Sequence, residues 1–339
     1  SMSESNWWRP TRYTLATVAR WGVSIVLLGV LVLLVDLEQV YHTLRSANLP
    51  LLGVALGIAL ADRILMAGKW FPLLRVQLPN AKFGRAVRAY FAAGVAGLIL
   101  PSSMGGDALR SIGLGRGRGS VVEVGASIVL ERLLGLIGSG IVTLVVLWVA
   151  WQASIPMSVL LPWALACVGL SLLLAILPFS ARARRGLRWL LDHFEGRKWV
   201  DLVERFGEAC RMYRGHPRTL LVVGGLSLIE QFAPILVFWV GAHALNLGLS
   251  FESIFVAVPL TMFIGRLPIS VAGIGVIEGG LVYLLGLFGA SASQAVSLSV
   301  VGRVVEVFTL LPGLVWWREL TGSRLGESEK SSPQEARGN

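Results

Sequence analysis

Apolar runs long enough to cross a membrane recur along this chain at 16–36, 50–72, 120–150, 157–178, 218–246 and 294–317. A hydrocarbon core of roughly 30 Å takes about 20 helical residues, so six spanning helices are predicted. Two further apolar regions, 86–114 and 253–288, are broken near their middles by Pro101 and Pro268 with neighbouring glycines. Their arms, about 15 residues or fewer, rise only about 22 Å. Each region is therefore predicted to be a re-entrant helical hairpin. The alternative, two short tilted spans in each region, would raise the span count from six to ten without changing the side on which any loop lies.

The remaining segments have a different pattern. In 179–217, Leu187, Leu190, Leu191 and Phe194, then Val203, Phe206, Cys210 and Tyr213, recur at helical spacing with arginines between them. Such a pattern predicts two amphipathic helices on a membrane surface, anchored by Trp189 and Trp199. Residues 36–49 are a shorter equivalent. The segment 319–339, rich in Ser, Glu and Gly, is expected to be a disordered tail.

Composition agrees with the span pattern: of 339 residues, 55% are hydrophobic and only 15% charged, with a formal net charge of +10. The charge sets the orientation. Arg9 and Arg12 precede the first span and Arg20 lies near its start, and basic residues crowd 179–217, whereas 151–156 and 289–293 carry no charge. The positive-inside rule makes both termini and the 179–217 segment cytoplasmic. The first broken region then starts and ends inside, and the second starts and ends outside. The expected fold is an all-α polytopic membrane protein built as an inverted-topology repeat, six full spans with two re-entrant hairpins. A tail at 1–15 leads into a membrane domain at 16–318, with repeat one at about 50–150 and repeat two at about 218–317.

The two breaks share a motif. Leu100-Pro101-x-Ser103-x-x-Gly106 matches Leu267-Pro268-x-Ser270-x-x-Gly273, and Arg132 and Arg303 follow the prolines by 31 and 35 residues. Paired breaks at corresponding positions of two halves point to a transporter's substrate site. Irregular backbone at membrane depth is tolerated only where it is buried in protein or lines a cavity.

Of the charges in the apolar regions, twelve stand out: Arg63, Lys69, Arg110, Arg132, Arg266 and Arg303 against Asp62, Asp107, Glu131, Glu230, Glu278 and Glu306. A charge at the bilayer centre costs at least about 2.5–3.5 kcal/mol on insertion scales. Pairing is one explanation, since Asp107 and Arg110, and Arg303 and Glu306, are three residues apart and Asp62 shares a helical face with Lys69. A polar cavity for a charged headgroup is the other. Ser103, Gly105 and Gly106 can present backbone amides to a phosphate at a half-helix start, with Arg110 a turn beyond; Asp107 as a simple cap is the plainer reading. Ser270, Gly273 and Glu278 form the mirrored set, with Arg266 just before that break.

Other chemistries find no support. The four histidines and two cysteines form no metal-ligand or disulfide pattern. Gly273-x-Gly275-x-x-Glu278 lacks the βαβ context of a dinucleotide fingerprint, and there is neither a Walker A sequence nor a GxSxG elbow. No cofactor, no metal and no enzymatic activity are expected. Basic helices beside spans suit anionic lipid better than nucleic acid.

The stretch Leu100–Arg110 followed by Glu131-Arg132 resembles the membrane region of bacterial lysylphosphatidylglycerol synthase/flippase proteins, and Leu267–Glu278 is similar to that family's second hallmark. The resemblance covers about 15–318. It implies a flippase-like domain that moves lipids between leaflets of a bacterial inner membrane. The full synthases carry a large soluble domain after this region, but only 21 residues follow Arg318, so synthase activity is not implied. Stand-alone relatives are thought to handle other lipids, including hopanoids and polyprenyl-linked sugars.

The reading from sequence is a lipid transporter that passes a polar or charged headgroup through a cavity at the repeat interface. Arg110, Arg132, Arg266 and Arg303 would contact phosphate, with Ser103, Gly105, Gly106, Ser270 and Gly273 at the breaks. Asp107, Glu131, Glu278 and Glu306 would orient the arginines or bind an amine, and Asp62, Arg63 and Glu230 stand second to them. Membrane lipids are the expected partners; a second copy of the chain and a lipid-synthesis enzyme are candidate protein partners. A non-transporting scaffold for lipid-synthesis enzymes and an intramembrane lipid-modifying enzyme are the rival readings.

Overall fold

The computed structural model describes residues 10–99, 103–115, 121–153, 155, 157–176, 211–266 and 270–321, and among these every regular element is helical. The tips around Pro101 and Pro268, most of the amphipathic 179–217 segment and the C-terminal tail lie outside the described residues. In chain order the helices are α1 (Pro10–Leu34), α2 (Leu37–Arg45), α3 (Leu49–Gln77), α4 (Phe83–Ile99), α5 (Ser103–Gly115), α6 (Val121–Gln152) and α7 (Met157–Ile176). They continue as α8 (Pro217–Glu230), α9 (Phe232–Ala244), α10 (Phe251–Gly265), α11 (Val276–Gly286), α12 (Ala292–Leu310) and α13 (Gly313–Thr321).

Helices occupy all six predicted span positions. Among the described residues, α3, α6, the α8–α9 run and α12 are each long and apolar enough to cross a membrane, and α1 with α2 makes a fifth if that bent pair is one span. The run 218–246, expected as one helix, turns at Gln231 between α8 and α9. Pro234 has no N–H for the carbonyl of Glu230, which frees one backbone bond at that turn. The run 294–317 is also divided: α12 ends at Leu310 and α13 begins at Gly313, because Pro312 cannot continue the ladder.

Residues 37–45 form the short amphipathic helix expected there. Asp36 caps it, its Oδ1 accepting from the amides of Glu38 at 3.0 Å and Gln39 at 3.1 Å. The axis of α2 is bent 87° from that of α1.

Packing divides the chain into two compact units, one of Ser1–Asp62, Leu133–Ala175 and Gly224–Phe308 and the other of Arg63–Arg132, Ile176–Val223 and Thr309–Asn339. In the first, α10 and α11 pack against each other, with α9 beside α10 and α1 beside α11. Gly280 lets the arms approach, since a Cβ there would lie 3.0 Å from Thr261 Cγ2. Between the arms, Ala272 (φ 49), Gly273 (φ 71) and Gly275 (φ 83) take the left-handed region. Glycine adopts it freely; Ala272 is held there by the surrounding turn. The apolar interior includes Ile254, Leu260, Leu281 and Leu285.

In the second unit, α4 and α5 pack together and α13 lies against both. The approach is close enough that a Cβ at Gly106 would overlap the Ala93 carbonyl oxygen, and one at Gly313 the Phe91 carbonyl oxygen. Both broken regions are thus pairs of short helices lying side by side. Their arms of 17, 13, 15 and 11 residues rise about 26, 20, 22 and 16 Å.

Candidate functional site

The second unit gathers four of the predicted charges. Asp107 and Arg110 lie on α5, the returning arm of the α4–α5 pair, and Glu131 and Arg132 on α6. Arg110 Nη2 stands 3.0 Å from Glu131 Oε2 and 3.2 Å from Asp107 Oδ1. Its guanidinium carbon lies 4.2 Å from the ring centre of Trp70 and 4.6 Å from that of Tyr90. Tyr90 donates its hydroxyl to Glu131 Oε1 at 3.3 Å. Trp70 is fixed in turn by donating Nε1 to Ser127 Oγ at 2.9 Å.

Arg132 donates Nε to Asp107 Oδ2. The two carboxylates and two guanidinium groups described here balance one another, which lowers the cost of charges at membrane depth. Its members differ in access. Arg110 and Glu131 side chains are 4% and 3% exposed, whereas Arg132 is 47% exposed. Arg110, expected to touch phosphate, is engaged by two carboxylates and two aromatic faces, with its Nε buried and without a hydrogen-bond partner. Asp107 lies in the second turn of α5 and serves two arginines, so it is not the cap of that helix. Ser103, Gly105 and Gly106 form the first turn of α5, whose amides lack helical acceptors; Gly106 is also the packing contact with α4.

The first unit holds a comparable cluster. Glu278 sits in the first turn of α11 and accepts the Gly275 amide through Oε2 at 2.7 Å. Its other oxygen accepts from Arg303 Nε at 3.2 Å, and Arg303 Nη1 lies 3.2 Å from Glu306 Oε2. Arg303 Nη2 is buried with no hydrogen-bond partner. Two carboxylates here face one guanidinium. Ser270 is buried near the turn, its hydroxyl also without a partner.

Arg266 does not join this cluster. It ends α10, lies 3.7 Å from Glu230, and donates Nη1 to Ser139 Oγ at 2.8 Å. Ser139 and Gln231 continue that network. Arg63 lies near Met66, its Nη1 4.0 Å from the sulfur, and Lys69 is buried. Among the described residues no group of His, Cys, Asp and Glu could hold a metal.

Trp70, Tyr90, Ser139 and Gln231 were not singled out from the sequence. Trp70, Tyr90 and Ser139 sit in apolar helices away along the chain from the arginines they meet, and Gln231 sits at the α8–α9 turn, 92 residues from Ser139; only the fold brings them together.

The family model for the lysylphosphatidylglycerol synthase TM region matches residues 18–313. The chain belongs to that family. The match takes in both broken regions and both arginine clusters, as the hallmark motifs led one to expect. No curated protein matches the chain. The family sets this chain among membrane domains concerned with lipid metabolism or transport.

Proposed function

We propose that this member of the family moves a lipid with a polar or charged headgroup between leaflets, its chains remaining in the hydrocarbon. The observation that carries the reading is Arg303. It lies in an apolar helix, two of its nitrogens are ion-paired, and Nη2 is buried with no acceptor. A buried donor left unmade costs about 1–3 kcal/mol, more when charged. A phosphate or ester oxygen would satisfy it. Arg132, half-exposed, is the corresponding cation of the other unit.

An inverted-topology repeat suits this function. Its support is internal to each unit: the arginine Nε of α6 and of α12 donates to a carboxylate 25 residues earlier, on the second arm of a broken helix pair. No arm of either pair reaches about 30 Å, which favours re-entrant hairpins between six spans. Basic flanks favour an inner bacterial membrane with both termini cytoplasmic.

The test uses the full chain in phospholipid vesicles carrying a fluorescent lipid whose outer-leaflet copies are quenched chemically. Wild type should expose inner-leaflet lipid to the quencher. Arg303→Gln with Glu278→Gln keeps the local charge balance and leaves no buried carboxylate without its guanidinium, and should fold yet lose that exchange at least tenfold. Wild-type exchange in the double variant would mean that the charges only hold the fold, and would favour the scaffold reading.

A further inference from the structure

Within the first unit, helix α1 is tied to its neighbours at two places, near its middle and just beyond its C-terminal end. Ser24 Oγ accepts the Val271 amide at 3.1 Å, and a Cβ at Gly275 would lie 2.6 Å from Leu27 Cβ. At the second place, the Asp36 amide donates to Ser293 Oγ at 3.2 Å. Between these ties α1 stands away from α12 and leaves a cleft of about 250 Å³. Leu28 and Val32 form one wall, Val300 and Val304 the other, and Glu278 and Arg303 the polar end. Leu28, Val32 and Val304 are 39%, 54% and 48% exposed, so the walls run out onto the apolar outer surface.

We propose that this cleft is the slot through which the hydrocarbon chain of a phospholipid reaches from the bilayer while its phosphate oxygen accepts from Arg303 Nη2. Two observations select that occupant. The walls are aliphatic and open sideways, which suits a methylene chain and excludes a bare hydrophilic solute. The buried guanidinium nitrogen at the polar end has no acceptor, which calls for an oxygen on the same molecule. Size agrees: small-molecule pockets run from about 300 to 1,000 Å³, so this cleft takes a segment of chain with its ester region and not a whole lipid. The inference gives the transport reading a path for the chains and rests on it only for purpose; binding in the slot is testable alone.

The full chain, with Cys167 and Cys210 replaced by alanine and Val304→Cys introduced, is purified in detergent. Folding is thus complete before a bulky alkyl methanethiosulfonate attaches to the thiol and fills the slot. Binding of dioleoyl phosphatidic acid, whose head is a bare phosphate, is measured by native mass spectrometry before labelling, after labelling and after reduction. The expected result is a loss of affinity of at least tenfold on labelling, restored by reduction, with glycerol 3-phosphate failing to compete. Equal binding by fully labelled and unlabelled protein overturns the slot, as does effective competition by glycerol 3-phosphate. Should lipid bind in the slot but no wild-type exchange occur in vesicles, the transport reading fails while the slot stands.

Discussion

Arg110 Nη2 lies 3.0 Å from Glu131 Oε2, and both side chains are almost wholly buried. The same guanidinium faces the Trp70 and Tyr90 rings and also reaches Asp107. Two carboxylates and two ring faces thus stabilise the charge of Arg110 where it stands, and a ligand phosphate would compete with those carboxylates. Arg110 is thus the buried arginine of the cluster, with Nε left without a hydrogen-bond partner, and Arg132 beside it is the half-exposed one.

Removing Arg110 leaves Glu131 as a buried charge without its guanidinium. Breaking a buried pair in this way costs about 3–5 kcal/mol. Arg110→Ala should lower the thermal midpoint in detergent sharply and reduce the yield of folded protein. Arg110→Lys should recover little, because an ammonium lacks the planar fork that spans two carboxylates and stacks on rings. Arg110→Met with Glu131→Gln should recover most of the loss.

Arg132 should behave in the opposite way. Its side chain is half-exposed, and Asp107 keeps Arg110 as a partner when Arg132 is removed. Arg132→Gln should melt close to wild type while exchange of labelled lipid between leaflets falls at least tenfold. A variant that unfolds, or one that exchanges lipid normally, would remove Arg132 from the transport path.

The packing of α4 on α5 depends on one absent side chain. Gly106→Ala places a methyl group on the Ala93 carbonyl, and overpacking of this kind costs about 1–3 kcal/mol. Gly97→Ala serves as the control, because a Cβ there meets nothing within 4 Å. Thermal melts of the two variants should differ, with Gly106→Ala the less stable.

Topology can be read from the exposed helix α2. With Cys167 and Cys210 replaced, Gln39→Cys should react with an impermeant thiol reagent applied outside intact cells, since the basic flank of α1 keeps its other end in the cytoplasm. Labelling only after the cells are opened would reverse the orientation assigned to the whole chain.

Hydropathy located the apolar segments in which the described helices lie, because apolar runs and prolines act locally, but not the turn at Gln231 or the division of 294–317 at Pro312. Pro101 and Pro268 marked the breaks, and the i,i+3 pairs Asp107–Arg110 and Arg303–Glu306 followed from helical spacing alone. The pairs that join elements were not legible. Glu131 was read as the neighbour of Arg132, yet it meets Arg110, and Arg132 meets Asp107. Glu278 was set beside Arg266 in the motif, but pairs with Arg303, while Arg266 turns to Glu230 and Ser139. A single sequence does not say which carboxylate on one helix an arginine on another will face. That choice is made by packing, including the glycine contacts that bring α4 to α5 and α10 to α11.

The right-angle turn between α1 and α2 bears on how the molecule responds to the thickness of its bilayer. A free spanning helix meets a thicker or thinner membrane by changing its tilt, at a fraction of a kcal/mol per Å. Here α2 lies across the end of α1 at 87°, and the Asp36 amide between them is bonded to Ser293 at the start of α12. With α2 resting on the membrane surface, α1 cannot tilt without loading that bond or shifting its wall of the cleft. If lipid enters the slot as proposed, the width of the slot is coupled to acyl-chain length, and the lipids surrounding the protein help to set how readily one of their own number enters it.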